Sequence, residues 1–229
     1  LARGDARAGC RLYREIRRCW YHARYARTAD AEIDRAASLD LNDVDTREAA
    51  ESIERRQLKQ ERSRAVCEGV GAEQFDSYFD IVRRTAELGD PLAMVEFAEN
   101  GGFFLMEFAR YPDRLATWHR LAPEMIERAL RLGTPEAAYS LNVARSRDIG
   151  LLGALLPDDP VEAQAMSLLL GRILTDPWKP RAHALSAQQA RAAEARADAL
   201  YRQHFAHRGT RSALRRLSDP LEPRIEDCE

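Results

Sequence analysis

Lysine is almost missing from this chain. Lys59 and Lys179 are the only two among 35 basic residues; all the others are arginine. Coding bias toward GC-rich codons explains that excess, and so does selection for bidentate contacts to carboxylates or phosphates; composition does not separate the two. Glycine (12) and proline (10) are scarce for 229 residues. Few turn-formers argue against many short strands and for long helices. No apolar run reaches the ~18 residues expected of a membrane-spanning helix. The longest, Ile149 to Leu156, is interrupted by Gly150 and Gly153, so direct membrane insertion is not expected. An excess of one charge sign is also missing: 35 basic residues face 37 acidic ones, net −2. A general nucleic-acid binder carries a basic field, so no nucleic-acid partner is expected. The chain has no G-x-S-x-G, no phosphate-cradling glycine loop and no H-E-x-x-H, the spacings that would mark a nucleophile elbow, a nucleotide site or a zinc protease. No catalytic residue, cofactor or metal is assigned.

What is present is 45% hydrophobic and 31% charged sequence, enough for a core under a well-solvated surface. Leu12, Ile16, Cys19 and Ala23 recur at helical spacing, with Arg11, Arg14, Arg17 and Arg18 largely outside that face and Asp5 as a candidate cap. Residues 31–37 extend this helix or form a short second one. A second long helix is expected from Thr46 to about Glu68. It is heavily charged, with a thin stripe of Ala49, Ala50, Ile53, Leu58, Ala65 and Val66. Further helices are expected over 72–88, 92–100, from Pro112 past a kink or turn at Pro123 to Leu132, from Pro135 to about Arg147, from Pro160, and from Ser186 to about Phe205. An aromatic patch of Phe103, Phe104, Phe108 and Tyr111 follows the Gly101–Gly102 pair.

One phrase recurs. Ala86-Glu-Leu-Gly89-Asp90-Pro91-Leu-Ala93 matches Leu130-Arg-Leu-Gly133-Thr134-Pro135-Glu-Ala137, with weaker copies at Gly4–Asp5 and at Asp159–Pro160. In each good copy a helix ends at a glycine able to take positive φ, an oxygen-bearing side chain caps the next helix, and proline sits in its first turn. The turn resembles the Sel1-like branch of the tetratricopeptide superfamily, with A-x-x-G-x-x-x-A at the junction, over about Thr85 to Leu174. That resemblance implies helical hairpins, protein–protein interaction and scaffolding, with no catalytic residues to carry over. Stacked hairpins form an α-solenoid with a concave binding face; an irregular helical bundle is the alternative.

Four cysteines are present: Cys10, Cys19, Cys67 and Cys228. Cys10 and Cys19 lie about 13.5 Å apart along one helix, too far to pair. An antiparallel hairpin of the first and second long helices brings Cys10 toward Cys67, the first expected disulfide, with Cys19–Cys67 as the alternative. Cys228 is expected to be unpaired. A zinc site from Cys19, His22 and Cys67, or metal binding by His204 and His207, is the weaker reading of those residues. A disulfide implies an oxidising compartment, the bacterial periplasm or the exterior, with the cytoplasm as the alternative. The chain begins at Leu1, which leaves open a removed leader.

The expectation is therefore all-α: a single helical-repeat domain over 1–217. It comprises a charged N-terminal hairpin (1–71), Sel1-like repeats (72–174) and a C-terminal capping region (175–217), followed by a flexible tail (218–229). The expected role is non-catalytic binding of another protein through a groove lined by the first helices of successive hairpins. Candidate contacts are Tyr78, Glu96, Glu99, Phe103, Phe104, Trp118, His119, Tyr139 and Arg145. An immunity-type inhibitor of a secreted toxin is the alternative, and a hydrolase using Glu and His is the third reading.

Overall fold

A proline at the first turn and an Asp or Ser before it should start a helix, and a glycine able to reach positive φ should end one. The computed structural model, which describes residues 4–38, 44–100, 110–146, 150–175, 183–206 and 228, bears this out as an all-α fold. Its helices are α1 (Ala6–Ala26), α2 (Ala29–Ala37), α3 (Val44–Cys67), α4 (Ala72–Glu87), α5 (Pro91–Asn100), α6 (Pro112–Arg131), α7 (Pro135–Arg145), α8 (Leu151–Leu155), α9 (Pro160–Ile173) and α10 (Ala187–Leu200). Pro123 is carried inside α6 without ending it. Two features went unforeseen. Leu151–Leu155 forms a short helix, and α10 gives way at Tyr201–Phe205 to a single π turn. The chain gathers into two compact units, Leu1–Cys10 with Phe79–Leu217 and Arg11–Tyr78 with Ser218–Glu229.

In the first unit, the corners at Gly89 and Gly133 close in the same way. Gly89 N–H donates to Ala86 O at 3.0 Å and Asp90 N–H to Thr85 O at 3.2 Å. Gly133 N–H donates to Leu130 O at 2.9 Å and Thr134 N–H to Ala129 O at 3.2 Å. This is the paired closure that satisfies the last carbonyls of a helix, and it needs a left-handed residue at the glycine. Both glycines supply one, at φ 104° and 71°. After Gly89 the following helix is capped by a side-chain oxygen acceptor. Asp90 Oδ1 accepts from Ala93 N–H at 2.6 Å. Asp5 caps α1 the same way, accepting from Ala8 N–H at 3.1 Å, and Asp159 caps α9 from Glu162 N–H at 2.9 Å. Thr134 makes no side-chain cap bond. Asp90→Ala should therefore cost about 1 kcal/mol, and Thr134→Ala less, as read by urea denaturation of the two variants.

The two hairpins lie side by side. First helices α4 and α6 meet where the Arg114 guanidinium sits 5.6 Å from the Phe79 ring centre. Second helices α5 and α7 meet where Ser140 Oγ bonds the Glu99 carboxylate. The Trp118 indole on α6 donates to Phe97 O (2.9 Å) and Ala98 O (3.2 Å). Those carbonyls belong to the last turn of α5, which has no helical donors left for them. Asn142 Nδ2 on α7 donates to Ala163 O on α9 at 2.7 Å. Helices α9 and α10 are tied by Arg196 to Glu162 and Arg172 to Asp198. The core of this unit includes the buried apolar side chains Met94, Phe97, Ile126, Met166, Leu169 and Leu170.

In the second unit, α1 and α3 run antiparallel. Arg18 Nε donates to Ser63 Oγ (3.1 Å), Gln60 Nε2 to His22 O (3.3 Å), and the Arg56 guanidinium lies over the Tyr25 ring (5.2 Å). As numbers rise on α1 they fall on α3. The expected apolar stripes are corrected here. Leu12 is 44% exposed, and Leu58 and Val66 on α3 are 49% and 47% exposed. The buried line on α1 is Cys10, Tyr13, Ile16 and Cys19, whose three-residue steps wind about 60° per step around the helix. On α3 the contact is carried by polar groups, with Ser63 fully buried. The Tyr13 and Tyr78 rings meet edge to face at 6.5 Å.

The disulfide joins Cys19 to Cys67, with Cα atoms 5.1 Å apart. This corrects the first expected pairing, Cys10–Cys67. The register sets the end of α3 against the middle of α1, and Cys10 lies nine residues, or about 13.5 Å, further along that helix. Cys228 corrects a second expectation: it is buried and disulfide-bonded. Cys10 is disulfide-bonded as well, and no cysteine is free. The rest of the expected tail lies outside the described residues.

Candidate functional site

The expected contact residues that are described differ widely in burial. Tyr78 (1% exposed) and Trp118 (3%) are core side chains. Trp118 is committed to the end of α5, and Tyr78 packs against Tyr13, so neither is placed to meet a partner. Glu96 and Glu99 are half-buried on α5, and Glu96 accepts a bond from Asn100 at 3.3 Å. Glu99 meets Ser140, which also lies 2.8 Å from the Glu136 carbonyl. Glu136 itself is 1% exposed. This run of Glu99, Ser140 and Glu136 positions two helices. Tyr139 is half-buried on α7. Arg145, in the last turn of α7, donates to Pro157 O at 2.9 Å and so holds a backbone segment. His119 is exposed on α6. Phe103, Phe104 and Phe108 lie outside the described residues. Tyr111 is described, with the Arg114 guanidinium 4.4 Å from its ring centre.

A second candidate surface lies in the other unit and was not read from the sequence. Arg17, Trp20, Tyr21, Arg24 and Tyr25 recur at steps of three and four, which sets them on one face of α1. Cations and rings alternate along it. Arg17 lies 5.8 Å from the Tyr21 ring centre and Arg24 lies 5.5 Å from that of Trp20. The Trp20 and Tyr21 rings meet edge to face at 5.0 Å, and those of Tyr21 and Tyr25 lie 6.0 Å apart. From α3, Arg56 covers Tyr25. Arg24 is exposed and the rings are half-buried. Trp, Tyr and Arg are the residue types that dominate binding energy in protein interfaces. The signal lies in the spacing of three aromatics among arginines, which an apolar stripe does not register.

The field beside this surface is positive. His22 is held below its ordinary value of 6.5 by burial first, then by Arg64 of α3, with Arg18 of α1 adding to the effect; hydrogen bonding with the Gln60 backbone opposes them. Because the folded protein binds this proton more weakly than the unfolded chain, stability is full above pH 6.5. It is lost as the pH falls below 6.5 toward the lowered folded value. His22→Gln should flatten that loss, as measured by urea midpoints across pH 7.5 to 5. Metal binding by Cys19, His22 and Cys67 is corrected, since both thiols are spent in the disulfide. Among the described residues no group of three or more His, Cys, Asp or Glu is placed to hold a metal ion. His204 sits in the π turn, and His207 lies outside the described residues. Among the described residues, too, no helix is long and apolar enough to cross a membrane.

Comparison of the chain with protein-family models, with curated proteins and with solved structures returns no match.

Proposed function

We propose that this chain is a non-catalytic protein-binding or scaffolding module of the bacterial cell envelope, built as a short stack of Sel1-like hairpins. The observation that carries the reading is the shared closure at Gly89 and Gly133, with α4 beside α6 and α5 beside α7. Corners that share a backbone closure support a repeated hairpin geometry, and neighbouring hairpins of like geometry present a continuous face to a partner. Bonded cysteines support an oxidising compartment such as the periplasm. His119 is exposed on α6, the first helix of the second hairpin.

Photo-crosslinking in an envelope extract tests this. A photoreactive residue at His119 should yield discrete protein adducts. The same residue at Glu194, exposed on α10, should yield none. Absence of adducts at both positions, or equal adducts at both, would contradict the proposal.

A further inference from the structure

We infer that the α1 face carrying Arg17, Trp20, Tyr21, Arg24 and Tyr25, with Arg56 from α3, docks an acidic, carboxylate-bearing segment of a protein. The inference rests on the protein-binding reading and adds the chemistry of a partner.

Three observations converge. First, α1 carries six arginines and a single glutamate, while the chain as a whole is net −2. The one glutamate, Glu15, is already paired with Arg18 at 3.5 Å. Second, the guanidinium of Arg24 lies over the face of Trp20 and is exposed. The guanidinium carries a fork of N–H donors that matches a carboxylate in two parallel bonds. Contact with the Trp20 ring restrains the side chain, so less freedom is lost when the carboxylate arrives. Third, Arg18 and Arg64 already disfavour a further positive charge at His22, on the flank of this face. The same potential favours an anion.

Polypeptide carboxylates fit better than a phosphate backbone. Nucleic acid and anionic membranes reward a continuous basic track. The neighbouring α3 carries no such track, because Asp45, Glu48, Glu51, Glu54 and Glu61 are interspersed among its six basic residues. From Arg17 to Tyr25 the face runs about 12 Å along α1, a span of about four extended residues. Rings between the cations provide apolar contact for a side chain set between two carboxylates.

Fluorescence anisotropy with the oxidised full-length chain tests the inference. The probe is a fluorescein-labelled peptide of sequence Glu-Tyr-Glu-Glu-Leu-Glu. A labelled oligothymidylate and phosphatidylcholine–phosphatidylserine vesicles serve as rival ligands. The expected result is saturable peptide binding that weakens with salt and falls about tenfold or more in Arg24→Glu and again in Arg56→Glu. Arg24→Lys should lose less than Arg24→Glu, because charge is kept while the fork is lost. Far-UV circular dichroism of each variant should match the parent. Peptide binding that is absent, or unchanged in Arg24→Glu, would overturn the inference. So would tighter binding of the oligonucleotide or the vesicles. The two readings fail separately. Adducts at position 119 without peptide binding sink this surface and leave the module standing. Peptide binding without adducts at position 119 sinks the hairpin groove alone.

Discussion

Replacing Cys67 by serine is expected to destabilise the second unit by about 4 kcal/mol in oxidising buffer. The bond to Cys19 closes a loop across a sequence separation of 48. On the chain-entropy account, a loop of that length restricts the unfolded chain by about 4 kcal/mol. Little else compensates. The interface of α1 with α3 is held by side chains such as Arg18, Gln60 and Ser63, bonds worth only about 0.5–1.5 kcal/mol each. Leu58 and Val66, which would have added apolar burial, face water. Cys19→Ser should match Cys67→Ser, and the double variant should cost no more than either single one, because all three remove the same bond. Urea denaturation followed by far-UV circular dichroism checks this. A double variant twice as damaging as the singles would refute it. The substitution is preferable to reductant, which would open every disulfide in the chain.

Trp118→Ala is expected to cost about 3–5 kcal/mol in the first unit. The ring is 3% exposed, and its indole N–H holds Phe97 O and Ala98 O at the end of α5. Truncation leaves a cavity and abandons two carbonyls in a dry place, so both terms act in the same direction. Trp118→Phe separates them. Phenylalanine keeps most of the packing and removes the donor, and should cost about 1–3 kcal/mol. If the alanine variant loses less than the phenylalanine variant is expected to, Trp118 is not the joint between the hairpins that its geometry indicates.

The corners of this fold were legible because their physics is local. A glycine, a capping oxygen, a proline and an alanine within eight residues specify where one helix stops and the next begins. Gly89 and Gly133 take the same closure with different capping residues, Asp90 and Thr134, because the bonds that close the helix come from the backbone. Register was not local. Whether Cys67 meets Cys10 or Cys19 depends on how much chain α2 and its connections take up before α3 begins, and no residue near Cys67 records that. The polar face of α3 misled for another reason. Apolar periodicity marks burial only when burial is apolar, and here Ser63, with no apolar side chain, is the fully buried residue on that helix. Trp118 and Tyr78 were read as contact residues from type and position. A tryptophan serves an interface or a core equally well, and the difference lies in an acceptor twenty residues upstream. The alternation of Arg17, Trp20, Tyr21, Arg24 and Tyr25 was fully present in the sequence, as a pattern of cations and rings that hydrophobicity alone does not register.

Stacked hairpins require Gly89 and Gly133 to be matched left-handed corners, and three alanine substitutions followed by thermal unfolding test that most directly. Gly171 lies inside α9 with open space where a Cβ would go, so Gly171→Ala should stabilise by about 0.5–1 kcal/mol. Gly89→Ala and Gly133→Ala should each destabilise by about 1–2 kcal/mol, because an L-residue resists positive φ. Alanine tolerated at both corners, with melting temperatures at or above the parent, would contradict the account.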